Sequence, residues 1–345
     1  MKELVVGSNE AGQRMEKLLK KYLREASTGF LYKMIRKKNI TLNGKKAEGK
    51  ELLKEGDKIQ IFFSEETLKK FMGNSTIALE EKEQQEIKKM SVLENKSLEY
   101  LKAYSAFKGI TIIFENEHLM LVNKPRGILS QKAEKKDLSL NEWFIGYLLK
   151  EGKITEVQLE TYRPSICNRL DRNTSGLVIC GKSLFGTKLV NQWIKERKIE
   201  KYYRCFLMGK LKESLELKGY LSKDEKHNKV TISTQKTEQS TFIETHITPL
   251  AFTSQLTYAE VELITGKTHQ IRAHLSSIGH PLLGDKKYGG SYGEGEEKNE
   301  NQPRGQLLHS YRIVFPTTKE LPDLSQKEYR AEEPDYFLKL KKQLL

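Results

Sequence analysis

Apolar positions set the first elements of the chain. Met15, Leu18, Leu19, Tyr22 and Leu23 recur at the spacing of one helical face, with Lys17, Lys20, Lys21 and Arg24 between them. This predicts an amphipathic helix within residues 12–23. After the Ser27-Thr28-Gly29 break the pattern repeats: Phe30, Leu31, Met34 and Ile35 are apolar, and Lys33, Arg36, Lys37 and Lys38 are basic. A second helix follows, strongly positive on its outside. Ile40-Thr41-Leu42 then runs into Asn43-Gly44, a dipeptide suited to a type I′ turn, whose two central residues need positive φ. Ile59, Ile61 and Phe63 alternate along a strand over 58–63. The first ~65 residues therefore read as two basic helices on a small hairpin.

Residues 65–104 mix opposite charges with few aromatics, as in EEKEQQEIKKM, and predict a charged helical linker that holds its neighbours at a semi-fixed distance. From residue 110, ITIIFENEHLMLV reads as two strands around a turn. A short apolar strand covers 177–180, and Ser183 is placed to cap a helix with Leu189, Val190, Trp193 and Ile194 facing inward. A second strand covers 202–208. The stretches 241–247 and 256–263 alternate like antiparallel strands, and 268–277 is helical in pattern. The polar, glycine-rich 291–305 is a surface loop. The expected organisation is a small N-terminal unit over 1–66, a linker over 67–104, a mixed α/β second unit over 105–325 and a C-terminal tail over 326–345.

Composition narrows the class. With 37% hydrophobic and 31% charged residues, the chain is too apolar for wholesale disorder and carries a heavily charged surface. Lys and Arg number 60 against 46 Asp and Glu, a net +14, which fits a polyanionic partner or a solvated basic surface equally well. Cys167, Cys180 and Cys205 are too few and too widely spaced for a disulfide framework or a zinc site and read as reduced, packed thiols. No run of about 18 apolar residues occurs and the N-terminus lacks the apolar core of a signal peptide, so a cytoplasmic protein without membrane contact is expected.

Candidate chemistry gathers in the second half. Lys124-Pro125-Arg126-Gly127 fixes a loop beside two cations. Asp171 lies between Arg169 and Arg172 and precedes Thr174-Ser175-Gly176. A carboxylate between guanidiniums stays ionised, which suits a nucleophile or electrostatic stabiliser better than an acid. Taken alone, such an aspartate is more often a structural salt-bridge or turn residue. His269 and His274 are five apart, and no metal-binding spacing occurs, so no metal is expected and His269 reads as a structural or hydrogen-bonding residue. Glycosidases need paired carboxylates, and Asp171 has no acidic neighbour in sequence. Asp285, in GDKKYG, reads as a turn-former, with a second acidic catalyst as the alternative.

NRLDRNTSG resembles the catalytic motif of the RluA-type pseudouridine synthases, usually written HRLDxxTSG. NKPRG precedes it, and KYYRCFLMG, LITGKTHQIRAHLSSIGHPLLGDKKYG and LLHSYRIVFP follow in the family's order, spanning about 110–316. The resemblance implies an α+β fold with a large, mainly antiparallel sheet flanked by helices. It also implies isomerisation of uridine to pseudouridine without cofactor or metal. It assigns Asp171 as nucleophile, Arg169 as the residue entering the RNA stack vacated by the flipped uridine, Tyr203 as the ring packed on the target base, and Arg272 as the partner of the carboxylate. Lys124, Arg126, Arg172 and Lys267 supply further cations for RNA. Residues 12–63 resemble the S-four RNA-binding domain shared with a small-subunit ribosomal protein, which implies RNA contacts from Arg14, Lys33, Arg36, Lys37 and Lys38. Three positions depart from the family pattern: Asn168 replaces the usual histidine, Gly181 an alanine, and Lys267 an arginine. The expected partner is RNA, ribosomal RNA of the large subunit first and transfer RNA second, bound by a monomer. A non-catalytic RNA-binding or ribosome-assembly factor on the same scaffold is the alternative.

Overall fold

The computed structural model describes residues 1–72, 97–224, 229–290 and 305–344; the expected linker helix over 80–90 and the loop over 291–304 lie outside the described residues. In the N-terminal unit, helices α1 (Met15–Tyr22) and α2 (Thr28–Arg36) pack on a four-stranded sheet. Its order is β1 (Lys2–Val5), β4 (Lys58–Ile61), β2 (Ile40–Leu42), β3 (Lys45–Lys46). Leu19, Leu31, Ile35, Ile40, Ile59 and Ile61 close its core, and Ser27 caps α2 by accepting the Phe30 N–H at 3.2 Å. Asn43 and Gly44 take φ of 50° and 73°, as a type I′ turn requires.

Three features differ from the sequence reading. Strand β1 was not expected, because KELV is too short to show a period. Helix α3 (Glu65–Phe71) belongs to the N-terminal unit rather than to a linker, since the Phe71 ring lies 4.2 Å from that of Phe30. At the far end of the expected linker, residues 97–106 form α4, with Tyr100 and Ala103 buried in the core of the second unit.

That second unit is built on an eleven-stranded sheet. Its order runs β11 (Lys229–Ser233), β10 (Leu215–Asp224), β12 (Thr241–Phe252), β13 (Leu256–Leu263), β9 (Glu200–Met208), β14 (Leu308–Val314), β8 (Ser175–Gly181), β6 (Leu119–Lys124), β5 (Thr111–Glu115), with β7 (Ser165–Ile166) on β8 and β15 (Glu328–Arg330) on β14. Every pair is antiparallel except β14 with β8. Val178 and Cys180 of β8 pack, with Met120 and Val122, against α5 (Leu140–Lys150). Leu177 and Ile179 face the other way, towards Val190 and Trp193 of α7 (Leu184–Lys195), a helix capped by Ser183 as expected. The short α6 (Gln158–Thr161) lies between these layers in sequence. Helix α8 (Gln270–Ser277) follows β13. The expected C-terminal tail is instead part of this core. Strand β15 extends the sheet and α9 (Asp335–Leu344) buries Phe337 completely, 5.2 Å from the Phe206 ring. The spacing of Phe337, Leu340 and Leu344 carried that signal.

The two units meet through polar contacts between the α1 region and α6: Arg24 pairs with Glu160 at 3.4 Å, Lys21 donates to the Thr161 carbonyl at 2.7 Å, and the Thr161 hydroxyl donates to Glu10 at 2.7 Å. Among the described residues, no helix is long and apolar enough to cross a membrane.

The parallel pair depends on Gly176. At φ 111° it lies against β14 so closely that a Cβ there would sit 2.2 Å from the Ser310 carbonyl oxygen. The glycine of the Thr-Ser-Gly run is thus required by the approach of two backbones. Gly176→Ala is expected to cost about 3 kcal/mol or more through overpacking and backbone strain. Gly29→Ala, in open space within α2, should be neutral or stabilising by up to about 1 kcal/mol. Urea unfolding of both variants measures the contrast.

Candidate active site

The loop that enters β8 carries Asp171, and backbone bonds hold it. Thr174 N–H closes a turn on the Asp171 carbonyl at 3.0 Å. On the other flank, the Ser130 hydroxyl donates to the Leu170 carbonyl at 2.6 Å and accepts the Leu170 N–H at 2.9 Å, and Gly127 N–H donates to the Arg172 carbonyl at 2.8 Å. The loop is therefore sewn to residues 127–130.

Lys124 completes the stitching, and its position corrects the expectation that it contacts RNA. It is fully buried, and its ammonium donates to the carbonyls of Pro125, Ile128 and Arg172 at 3.1, 2.9 and 3.3 Å. Three carbonyls match the three protons of an ammonium. Burial pushes its pKa down to about 7, against the pull of nearby Asp171. Arg126 is also tied to protein groups: it donates to the Gly305 carbonyl at 3.2 Å and lies 5.1 Å from the Tyr336 ring.

Asp171 meets its partner across the sheet. Nη1 of Arg272, on α8, donates to Asp171 Oδ2 at 2.8 Å, while Nε and Nη2 form a fork on Asp285 Oδ2 and Oδ1 at 2.7 and 2.8 Å. Asp285 is 1% exposed. It is therefore more than the turn-former expected from sequence, and the second carboxylate that Asp171 lacks in sequence is present in space. Burial works against the Arg272 charge, yet the two carboxylates raise its pKa above the ordinary arginine value. Oδ1 of Asp171 makes no hydrogen bond among the described residues. The aspartate therefore presents one fixed and one available oxygen. Arg169 and Arg172, the sequence neighbours expected to flank the carboxylate, are both exposed, and the guanidinium that binds it is that of Arg272.

Tyr203, on β9, is 5% exposed, and burial pushes its hydroxyl up to about 12. Its partner residues on the sheet place it in the main core beside Leu170 and Ile271. His269 occupies left-handed backbone (φ 54°) at the N-terminus of α8. Its Nε2 lies 3.9 Å from Asp171 Oδ2 and its Nδ1 3.1 Å from the Tyr288 hydroxyl. Gln270 is wholly structural: its amide binds Thr265, Thr245, and the backbone of Lys267 and Glu244. Lys267 is exposed. Asn168 joins backbone to backbone, accepting the Ile179 N–H at 2.7 Å and donating to the Leu177 carbonyl at 3.4 Å. Sequence reasoning missed Asp285, His269 and Tyr288 as neighbours of the nucleophile candidate; the signal was their grouping within the single stretch THQIR to GDKKYG.

In the N-terminal unit, Arg14, Lys33, Arg36, Lys37 and Lys38 are exposed. Arg14 faces Glu16 at 3.9 Å. Among the described residues the other four have no carboxylate partner, and they crowd the C-terminus of α2, where the helix dipole favours cations.

If Lys124 fastens the Asp171 loop, Lys124→Met should lower the reaction rate and loosen amide protection at 170–172 while RNA affinity stays within about twofold. A phosphate contact would lower affinity and the salt slope instead. Filter binding alongside hydrogen exchange separates the two.

Residues 118–277 match the model of the RNA pseudouridylate synthase family. An uncharacterised RNA pseudouridine synthase of Mycoplasma genitalium is 32% identical over 211 residues, 60% of this chain and 64% of that protein. A ribosomal large subunit pseudouridine synthase C of Vibrio parahaemolyticus is 26% identical over 82% of this chain and 79% of its own length. Among solved structures, human RNA pseudouridylate synthase domain containing 4 has the same fold, with a TM-score of 0.56 at 19% identity over 72% of this chain and 97% of that one. Over residues 118–277 the chain is an RNA pseudouridylate synthase, an enzyme of the isomerase class, and its homologues support the RluA type.

Proposed function

We infer that this enzyme isomerises uridines of large-subunit ribosomal RNA, with Asp171 as nucleophile. The observation that carries the reading is the asymmetric carboxylate: Oδ2 is bound to Arg272, whose far side is locked by buried Asp285, and Oδ1 is left for substrate. A carboxylate held this way keeps one orientation towards the substrate. The ribosomal target is supported by the Vibrio parahaemolyticus relative, a ribosomal large subunit pseudouridine synthase C.

In the reaction the bond from C1′ to N1 breaks, the uracil turns while Asp171 serves as nucleophile, and the bond from C1′ to C5 forms. C5 loses a proton and N1 takes one up, so the product is an isomer and no electrons are exchanged. A uridine in folded RNA must first leave its stack, at a cost of a few kcal/mol. Exposed Arg169 beside Asp171 is suited to fill the gap. Tyr203, the residue the resemblance sets against the target base, is 5% exposed on β9, so it reaches the base only through the small part left exposed. The N-terminal unit acts as the S-four-like RNA clamp through the basic end of α2.

Asp171→Asn should reduce pseudouridine formation to below about one hundredth of wild type, with RNA affinity within threefold, because the amide is isosteric but not nucleophilic. Detection uses the carbodiimide adduct block to reverse transcription. Mapping the modified uridines in cells with and without the protein tests the target: sites confined to transfer RNA overturn the ribosomal assignment. Replacing Lys33, Arg36 and Lys37 together with alanine should flatten the log-log salt dependence of binding by about 2 to 3, at roughly 0.7 to 0.9 per phosphate contact. The saturated rate on a short stem-loop should be unchanged.

A further inference from the structure

His269 has a conformation that helix formation does not explain. It sits at the N-cap of α8 yet makes no capping bond, and it holds a left-handed φ of 54° that a non-glycine residue adopts at a cost. The result of that backbone is the direction of the ring. It is 11% exposed, Nε2 lies 3.9 Å from Asp171 Oδ2, and Nδ1 meets the hydroxyl of Tyr288.

Tyr288 decides which nitrogen carries the proton. Its hydroxyl oxygen already accepts the Val230 N–H at 3.0 Å, and it is 5% exposed. Among the described residues the phenol proton then has one acceptor in reach, His269 Nδ1, and a buried hydroxyl that left it unused would be unsatisfied. Nδ1 is therefore the acceptor, and the neutral ring carries its hydrogen on Nε2, facing Asp171. The Arg272 guanidinium lies 5.1 Å from the Tyr288 ring centroid, so the same tyrosine braces both donors.

We propose that His269 is a positioning residue of the reaction: held as the Nε2–H tautomer by Tyr288, it serves as a second donor to Asp171 Oδ2 beside Arg272 and so leaves Oδ1 as the attacking oxygen. The inference rests on Asp171 being the nucleophile. The 3.9 Å separation is longer than a hydrogen bond, so the proposal requires the two groups to approach further once substrate is bound. The charged groups around the ring are Asp171 on its loop, Arg272 on α8, and Asp285 and Lys287 on the turn that carries Tyr288. Burial, with Arg272 and Lys287, outweighs Asp171 and Asp285 and holds the imidazole below its usual pKa. The neutral form is thus the working form. In acid the imidazolium loses its acceptor at Nδ1 and pairs with Asp171 as a cation, which weakens the carboxylate as a nucleophile, so the rate should fall as pH drops through the histidine pKa.

The test is single-turnover pseudouridine formation on a saturating RNA stem-loop between pH 5 and 8.5, with RNA affinity and thermal unfolding measured alongside. His269→Leu should lose about 30- to 100-fold in rate, the scale of a misplaced reacting group, with affinity within twofold. His269→Gln, which keeps an N–H donor, should recover to within about fivefold at pH 7.5 and lack the acid limb of the wild type. Tyr288→Phe should slow the wild type several-fold and leave the His269→Gln variant unchanged, because an amide has no tautomer to select. The inference is overturned if His269→Leu stays within threefold of wild type, if His269→Gln keeps the acid limb, or if Tyr288→Phe slows both backgrounds equally. Should His269→Leu fail to fold, the pH profile of His269→Gln decides. An active Asp171→Asn variant would remove the nucleophile reading first, and this inference with it.

Discussion

A guanidinium satisfies two carboxylates at once only when both approach in its plane from different edges, and the fold is arranged to bring that about at Arg272. One carboxylate, Asp285, is buried and takes two of the N–H groups. The other, Asp171, takes a third through one oxygen. The pair with Asp285 compensates the desolvation of the arginine, and the surplus donor then fixes Asp171 without burying it. Elements 101 residues apart in sequence are thereby joined at a single cation.

The scaffolding behind this contact is mostly backbone. Ser130, Gly127 and Lys124 bind the carbonyls and N–H groups of 170–172, and Asn168 spans the backbone of β8. The family's histidine position is thus filled by an amide whose two ends both bind main chain. That use asks for a donor and an acceptor at fixed separation and for no titration, so the departure from the motif leaves the geometry of Asp171 intact. Gly181 has a similar reason: a Cβ there would overlap the Thr187 hydroxyl, and the same hydroxyl meets Tyr162 at 2.5 Å.

Local pattern was legible where one period ran long enough. The α1 and α2 faces, the Asn43-Gly44 turn and the Ser183 cap follow from neighbouring residues alone, as do β12 and β13. Strand β1 has four residues and shows no period. The tail reading of 326–345 failed because Arg330, Glu332, Glu333 and the lysines of α9 dominate its composition, while the apolar side chains that seat it, such as Phe337, are few. At the site, the motifs named Asp171, Tyr203 and Arg272, but charge near Asp171 in sequence pointed to Arg169 and Arg172, which are exposed. Lys124, expected from the NKPRG segment to contact RNA, is buried instead. Which cation is buried depends on strands that come together only in three dimensions.

The position of β14 bears on how the chain reaches this state during synthesis. Strands β8 and β9 are made early, between residues 175 and 208, yet in the sheet they are separated by β14, which begins at Leu308. Until more than a hundred residues later in the chain, both therefore present an unpaired edge to the centre of the sheet, and unpaired edges invite pairing with other chains. The N-terminal unit has no such dependence, since its strands and helices all lie within the first 72 residues. A nascent chain can thus display a folded basic module long before its isomerase exists, and a product that stops short of β14 exposes two interior edges, on β9 and β8, in addition to the outer edges at β11 and β5.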